Sequence, residues 1–267
     1  MAHKTLVEGT AYNIKGGQTL IGGTAHDLTA GQTLIDGTAY GIRFSGFEPV
    51  FADNTWQQII AACQAKTIPD TWQVGDSKLM TIDGEEHQID IIGKEHDNYL
   101  VDGAMADKAP LTFQLHGVLG VSKQINSADT NSGGWYTAEL RDYMRYDILG
   151  MLPEEVAMAV RGLYKQAAAG NGSDSVYPMR EFTFLLCAEE VFGTYGSYNH
   201  KGEGTQYEYY KNGGSTIKTG PNGSTATWWL RSAYDGNAAW FCEVLPSGEL
   251  SADNASARHN ISFGFCF

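Results

Sequence analysis

The sequence predicts an α+β fold with long irregular loops, preceded by short β-repeats. Three observations support this. A 14-residue unit occurs three times at the start of the chain, helical periodicity marks several later segments, and short strand patterns dominate the last third. The 267 residues, 42% of them hydrophobic, are enough to bury a sizeable core. Four widely spaced cysteines without a C-x-x-C pair are therefore interpreted as buried free thiols.

The repeats start at Thr5, Thr19 and Thr33, each 14 residues after the last. Each contains two short apolar runs around a Gly-Thr turn, which predicts one β-hairpin or β-arch per repeat. So small a unit cannot bury its apolar face alone and must stack on neighbours or on other chains. We therefore predict that residues 1–44 are an attachment and homo-oligomerisation segment, with a trimer favoured. The alternative is a β-rich decoration folded onto the main domain, residues 45–267.

The first elements of the main domain follow from local spacing. Asn54 or Thr55 can cap a helix in which Trp56, Ile59, Ile60 and Cys63 share one face, ended by Ile68-Pro69. Strands are predicted over Lys78–Ile82 and His87–Lys94, on either side of Asp83-Gly84, and over the alternating residues 111–115. These segments form the start of the predicted domain.

Two more helices and a strand-rich end complete the domain. One helix is predicted from near Thr137 to Met151, and another from Pro153 with an apolar stripe reaching Leu163. Residues 170–174 are predicted to form a loop, and the Gly-, Tyr- and Asn-rich residues 193–223 either carry function or pack as an ordered coil. Strands follow over 225–232, 239–244 and 261–267, with a turn at Pro246-Ser247-Gly248.

Composition and motifs exclude several function classes. The net charge of −13 argues against nucleic-acid binding, and no apolar run is long enough for membrane insertion. Residues 85–87 and 95–97 have metal-ligand composition, but neighbours on a strand point to opposite faces, so solvated hairpins are the preferred interpretation. No catalytic motif occurs. We predict no enzyme activity, no cofactor and no metal, and a buried strand at 225–232 whose Arg231 pairs with a carboxylate.

The segment Trp228-Trp229-Leu230-Arg231-Ser232, followed by a polar stretch and a short apolar closing strand, resembles a known family. It is similar to the C-type-lectin-fold variable proteins of diversity-generating retroelements, and to related domains of bacteriophage tail and bacterial surface proteins. Further matches are Val74-Gly75-Asp76, Asn131 to Trp135, Leu152-Pro153 and Glu203-Gly204. The resemblance covers residues 56–267, and the repeats resemble sequences of phage tail proteins. The ending Phe263 to Phe267 departs from a commoner ending with Arg and Pro.

This resemblance implies a lectin-type scaffold that displays a variable segment, residues 233–260. Phe241, Val244 and Gly248 would belong to the scaffold. The expected displayed, ligand-binding residues are Tyr234, Asp235, Asn237, Trp240, Glu243, Leu245, Glu249, Leu250, Asp253, Asn254, Arg258, His259 and Asn260. Aromatic side chains among adaptable polar ones are typical of recognition surfaces.

The implied function is non-enzymatic recognition of a host cell-surface protein or glycan by a phage tail receptor-binding protein. The N-terminus lacks the apolar run of a signal peptide, so we expect cytoplasmic synthesis in a bacterium and a working place at the tail tip of the virion. One alternative is an invariant bacterial surface adhesin or structural tail protein. Another is a relative of formylglycine-generating oxidases, which would need reactive thiols at Cys242 and Cys266. Asp235, Asn237, Asp253 and Asn254 could supply oxygen ligands to Ca²⁺, but their spacing fixes no geometry.

Overall fold

The computed structural model divides the chain into two compact units, residues 1–48 and 49–267. It describes residues 46–193, 198 and 202–267, together with the backbone of six strands between Lys4 and Arg43. These six strands are β1 (Lys4–Val7), β2 (Thr10–Asn13), β3 (Gly17–Ile21), β4 (Thr24–Leu28), β5 (Ala30–Ile35) and β6 (Thr38–Arg43).

Each N-terminal repeat forms an antiparallel hairpin. The pairs are β1–β2, β3–β4 and β5–β6, and equivalent residues pair in each, as Leu6 with Ala11 and Leu20 with Ala25. Of the two predicted forms, hairpin or arch, the structure has the hairpin. The side chains of residues 1–45 lie outside the described residues, so the assembly of residues 1–44 stays a prediction.

The second unit combines helices and strands, which confirms a mixed α+β class. Its helices are α1 (Trp56–Ala65), α2 (Glu139–Tyr143), α3 (Leu149–Met151), α4 (Glu154–Ala159), α5 (Ala188–Phe192) and α6 (Glu208–Lys211). Among the described residues, no helix combines the length and the apolar character that crossing a bilayer would require.

The predicted start of α1 is confirmed. Thr55 accepts a hydrogen bond from the backbone of Gln58, and the Gln58 side chain accepts one from the backbone of Thr55, which forms a capping box. The helix ends at Ala65 and is followed by Lys66, whose φ of 54° is left-handed, so it stops before Ile68-Pro69.

The later helices differ from the prediction at one end. Helices α2 and α3 are joined by a π-helical turn, Met144–Ile148, into the one segment that periodicity indicated. Helix α4, however, ends at Ala159, and Leu163 begins a strand instead of completing the helical stripe. The apolar residues that suggested a longer helix belong in part to a buried strand. A buried strand favours apolar residues as much as the buried face of a helix does.

Sixteen strands of the second unit are described. They are β7 (Ser77–Ile82), β8 (Glu85–Lys94), β9 (Asn98–Val101), β10 (Ala104–Lys108), β11 (Leu111–Leu115), β12 (Ser122–Lys123), β13 (Leu163–Ala168), β14 (Val176–Glu181), β15 (Phe184–Leu185), β16 (Lys218–Thr219), β17 (Thr225–Ala226), β18 (Trp228–Ala233), β19 (Trp240–Val244), β20 (Leu250–Asn254), β21 (His259–Asn260) and β22 (Phe263–Cys266). The predicted β7–β8 hairpin is confirmed, but the pairs β9–β10 and β13–β14 were not predicted.

One five-stranded sheet, ordered β15-β22-β11-β8-β7, forms the centre of the core. The closing strand β22 pairs antiparallel with β11, and all of residues 111–115 are buried. The alternation of residues 111–115 correctly predicted a strand, but both faces of this strand are buried. Phe113 lies 5.4 Å from Phe265 and 5.3 Å from Phe267 between ring centroids, which anchors the chain end in the core.

A second five-stranded sheet, ordered β12-β21-β18-β19-β20, contains the segment with the family resemblance. We call it the C-terminal sheet. Its central strand β18 is buried over its whole length, which confirms the prediction that Trp228, Trp229 and Leu230 belong to the core. The two tryptophan N–H groups donate to the backbone carbonyls of Thr216 and Lys123, so neither ring leaves an unsatisfied donor.

Candidate functional site

Arg231 of β18 belongs to a group of buried, oppositely charged side chains. We call this group, formed by Asp97, Lys165, Glu190 and Arg231, the buried ion network. Its guanidinium donates to both carboxylate oxygens of Glu190, at 2.5 and 3.0 Å. The other three donors reach the backbone carbonyls of Leu185, Gln166 and Glu203. All five N–H donors are thus used, which confirms the predicted pairing of Arg231 with an internal carboxylate.

Lys165 completes this network. It lies on β13, which belongs to a different sheet and contacts β18. Its ammonium donates to Asp97 at 2.5 Å, to Glu190 at 2.9 Å and to the Tyr207 hydroxyl at 2.6 Å. Burial opposes the charge, but the carboxylates of Asp97 and Glu190 outweigh burial and raise the pKa of Lys165. Two cations face two carboxylates, so the charges of the network are balanced.

The interpretation of residues 95–97 as part of a solvated hairpin is wrong for Asp97. Asp97 is only 6% exposed, and it accepts hydrogen bonds from Thr112 and Tyr207 as well as from Lys165. A cleft of about 330 Å³ lies against the network, with His96 and Thr205 in its wall. The ammonium of Lys165 already has three acceptors, so it has no donor left for a ligand in the cleft. The other acidic triplet, Glu85-Glu86-His87, has exposed glutamates, as expected.

Strand alternation sends the predicted ligand-binding residues to both faces of the C-terminal sheet. In the β19–β20 pair, Trp240 lies opposite Asn254 and Val244 opposite Leu250, and this face packs towards the buried cluster around Trp228. Glu243 lies opposite Trp229 on one side and Ser251 on the other, so Glu243 and Asp253 share the second face. The predicted residues therefore do not form one continuous surface.

One group gathers at the loop between β18 and β19, which we call the tip loop (residues 234–239). Tyr234 stacks on Trp240 at 5.6 Å between ring centroids and contacts Tyr198 at 5.5 Å. The buried Asn131 side chain donates to the backbone carbonyls of Tyr234, Asn237 and Trp240, at 3.0, 3.0 and 2.9 Å. One amide thereby fixes the tip loop, with the partly exposed Tyr234 at its start, and the backbone of Trp240 directly after it.

A second group lies at the opposite end of the same strands. The turn that contains Leu245 and Glu249 joins β19 to β20, and a groove of about 580 Å³ runs beside it. Pro246, His259 and Asn260 are among the residues that line this groove, as are the polar residues Asn222, Ser224, Thr225 and Thr227. Leu245 is half-buried, while Glu249 and Arg258 are exposed.

Glu243, Asp253 and His259 meet in what we call the acid–histidine cluster. His259 Nε2 lies 2.8 Å from Glu243 Oε2 and 3.0 Å from Asp253 Oδ2. The Trp229 ring packs edge-on against the imidazole at 4.5 Å. Burial opposes the imidazolium, but the two carboxylates outweigh burial and raise the pKa of His259.

The expectation that Glu243 is displayed is wrong, because Glu243 is only 5% exposed on the second strand from the sheet edge. Tyr234 and Leu250 are half-buried and pack against the core, so they are displayed only in part. The remaining predicted residues are half-buried or exposed: Asp235, Asn237, Trp240, Leu245, Glu249, Asp253, Asn254, Arg258, His259 and Asn260. Buried Phe241 and Val244, and Gly248 with φ of 87° in the turn, belong to the frame as expected.

Two further hypotheses lose their geometric basis. The four oxygen donors considered for Ca²⁺ are not brought together, because Asp253 and Asn254 are neighbours on a strand and point to opposite faces. The oxidase alternative needs accessible thiolates, whereas Cys242 and Cys266 are fully buried and burial raises the pKa of both thiols. All four cysteines are buried and free, as predicted from their spacing.

Sequence reasoning missed two residues that shape the site. Asn131 was noted only within a motif, although a buried Asn beside Gly133 and Gly134 is the residue that holds the tip loop. A Cβ at Gly134 would lie 1.8 Å from the carbonyl oxygen of Ala168, so only glycine allows this approach. Tyr198 was not singled out, because no periodicity marks a residue inside a long irregular segment.

A family model described as a domain of unknown function (DUF6273) matches residues 111–261. No curated protein and no solved structure matches the chain. The matched range spans more than half of the 267 residues and includes β11, the buried ion network except Asp97, and the C-terminal sheet. The chain therefore belongs to the DUF6273 family.

Proposed function

We propose that the second unit is a ligand-recognition domain of the C-type-lectin type, similar to the variable proteins of diversity-generating retroelements. One observation carries this proposal: residues 228–233 and 261–267 are entirely buried, while most positions between them are half-buried or exposed. A rigid frame with substitutable positions between its buried strands is the arrangement that such a protein needs. Buried strands hold the backbone, so side chains in the loops can change without loss of the frame.

The biological setting that we propose is the tail tip of a bacteriophage, where the chain would bind a host cell-surface protein or glycan. The groove beside His259 and Asn260 combines polar side chains with apolar surface, which suits the hydroxyl groups and ring faces of a glycan. Tyr234 of the tip loop, with Tyr198 and Trp240 packed against it, supplies aromatic contacts. Residues 1–44 would assemble the chains as a trimer. Equal monomeric masses in light scattering for the full chain and for a chain starting at Gly46 would contradict that assembly.

Binding of labelled full-length protein to whole bacterial cells and to isolated surface glycans tests the recognition proposal. The triple variant Leu245→Ser, Glu249→Ser, Arg258→Ser alters the turn end of the C-terminal sheet, and we expect its binding to fall by at least about tenfold. A matched control, Leu79→Ser, Glu86→Ser, Lys108→Ser, alters exposed residues of the other hairpins. Both variants should melt within a few degrees of the parent.

Undiminished binding by the first variant, or equal loss in the control, would contradict recognition at this end of the sheet. The invariant-adhesin alternative is decided by the neighbouring DNA. A reverse-transcriptase gene with a near-copy of the 3′ end that differs at adenines supports hypervariability, and its absence favours an invariant adhesin or tail protein.

A further inference from the structure

The acid–histidine cluster has the composition and spacing of a metal-ligand set. Each of Glu243, Asp253 and His259 offers one ligand atom, and the three atoms lie within 4.8 Å of one another. Metal–nitrogen and metal–oxygen bonds of about 2.0–2.2 Å at a tetrahedral angle place two ligands of one ion roughly 3.4 Å apart. The distances of 2.8 and 3.0 Å from His259 Nε2 to the two carboxylate oxygens are ion-pair distances, so an ion would separate these atoms by about half an ångström.

Glu243 supplies a second, independent observation. Its Oε2 is buried and has no hydrogen-bond partner, although it lies 2.8 Å from His259 Nε2. The contact of this oxygen with the imidazole nitrogen is an ion pair. A buried carboxylate oxygen without a donor is costly, so Glu243 is expected to have another partner.

The cations next to the cluster do not pair with the carboxylates of Glu243 and Asp253. Lys123 pairs in register with His259, but its ammonium lies over the Tyr143 ring at 4.0 Å. The Arg258 guanidinium donates to the backbone carbonyl of Ser122. Neither neighbouring cation therefore compensates Glu243 and Asp253.

The cluster is also accessible from one side. The Asp253 side chain is 39% exposed and that of His259 19%, whereas Glu243 forms the buried floor. The Trp229 ring packs against the imidazole and restricts its orientation. Ligands fixed in place at a site that solvent can reach are what a bound ion requires.

We propose that Glu243, Asp253 and His259 bind a divalent transition-metal ion of the Zn²⁺ class. One imidazole and two carboxylates are ligands that Zn²⁺ accepts, and three protein ligands leave a fourth position open to water or to a ligand oxygen. Ca²⁺ is disfavoured, because it takes six to eight oxygen ligands and this set offers an imidazole and two carboxylates. The inference goes beyond ligand recognition and does not depend on it, since the ion can be titrated without any host ligand.

Isothermal titration of metal-stripped full-length protein with Zn²⁺ alone tests the proposal. We expect one bound ion per chain, a higher melting temperature with Zn²⁺, and at least about tenfold weaker binding of Ca²⁺. His259→Gln and Asp253→Asn should each weaken Zn²⁺ binding at least about tenfold, because loss of a ligand exceeds the effect of altering an outer-sphere group. Asp253→Asn changes a partly exposed residue, so it keeps the test valid if Glu243→Gln does not fold.

His116→Gln is the matched control. His116 Nδ1 lies 2.6 Å from Asp90, so it is also a histidine paired with a carboxylate, but the described residues supply it with no third ligand. This variant should bind Zn²⁺ as the parent does. The proposal is overturned if the parent binds no Zn²⁺, or if the His259 and Asp253 variants keep the parent's affinity. In the first case the cluster is an ion pair only.

Discussion

The buried ion network and the acid–histidine cluster use similar residues in opposite ways. In the network, Lys165 and Arg231 face Asp97 and Glu190, and every donor of both cations has an acceptor. In the cluster, one imidazole faces two carboxylates, and Glu243 Oε2 has no hydrogen bond. Both arrangements include side chains from strands of the C-terminal sheet.

The difference separates a fully paired arrangement from the proposed metal site. Balanced and fully hydrogen-bonded charges have no free position for a ligand, and they stabilise one packing of the surrounding strands. In the acid–histidine cluster two carboxylates face one imidazole at a partly exposed position. A further cation could therefore bind to them. Charge balance and hydrogen-bond completeness therefore distinguish these two clusters better than residue type does.

The largest expected effect comes from opening the network. Arg231→Met should lower the free energy of unfolding by about 3–5 kcal/mol, because it leaves buried Glu190 with one cation and removes donors from three carbonyl groups. Urea unfolding of the full chain measures this. Arg258→Met, at an exposed position, is the control and should change stability by less than about 0.5 kcal/mol. A loss below about 1 kcal/mol for Arg231→Met would remove the structural role of the network.

An intermediate effect is expected for Lys218, a buried cation with no carboxylate in ion-pair contact among the described residues. Its ammonium donates to the carbonyls of Leu115 and His116, and burial lowers its pKa to about 7. Between that value and the unfolded pKa of about 10.4, the unfolded chain binds more protons, so stability rises with pH. Below pH 7 both states are protonated and the penalty is fully present.

The measurement for Lys218 is urea unfolding at pH 7.5 and 9.5. The parent should gain on the order of 2 kcal/mol relative to Lys218→Met over this interval, since the variant lacks the titrating group. Arg231→Met should keep the pH dependence of the parent. Parallel pH profiles for the parent and Lys218→Met would show that burial does not shift this lysine.

The smallest expected effect is in the acid–histidine cluster without metal. His259→Gln should change the free energy of unfolding by at most about 1 kcal/mol, because the pair with Asp253 is partly exposed and the glutamine amide can still donate to Glu243. Thermal melts in the presence of a chelator measure this, with His116→Gln as the matched control. A loss above about 2 kcal/mol would place the cluster with the network as a structural ion pair.

Much of the framework could be predicted from local spacing. The capped start of α1, the β7–β8 hairpin around Asp83-Gly84 and the buried strand at Trp228 each follow from residues close together in the chain. The error at Leu163 has the same origin, because apolar spacing does not distinguish the end of a helix from the start of a buried strand. Strand β13 was missed for this reason.

The candidate site was predictable only in part. The sequence pointed to the segment 233–260, but not to its division between two faces and two ends of the C-terminal sheet. That division depends on the register of β19 with β18 and β20, and a shift by one residue would exchange the faces. Glu243 was expected to be displayed because a charged residue does not look like part of a scaffold, whereas its buried position comes from the strands on either side.

The sequence by itself determined the three β-repeats, the mixed α+β class, the buried tryptophans and the pairing of Arg231 with a carboxylate, because local periodicity and the cost of burying a charge suffice for these. Only the tertiary structure decided which carboxylate that is, how Asn131 holds a tip loop 103 to 109 residues away, and where Glu243, Asp253 and His259 meet. Contacts between distant residues depend on strand order and register. These are properties of the whole packed chain and not of any short segment.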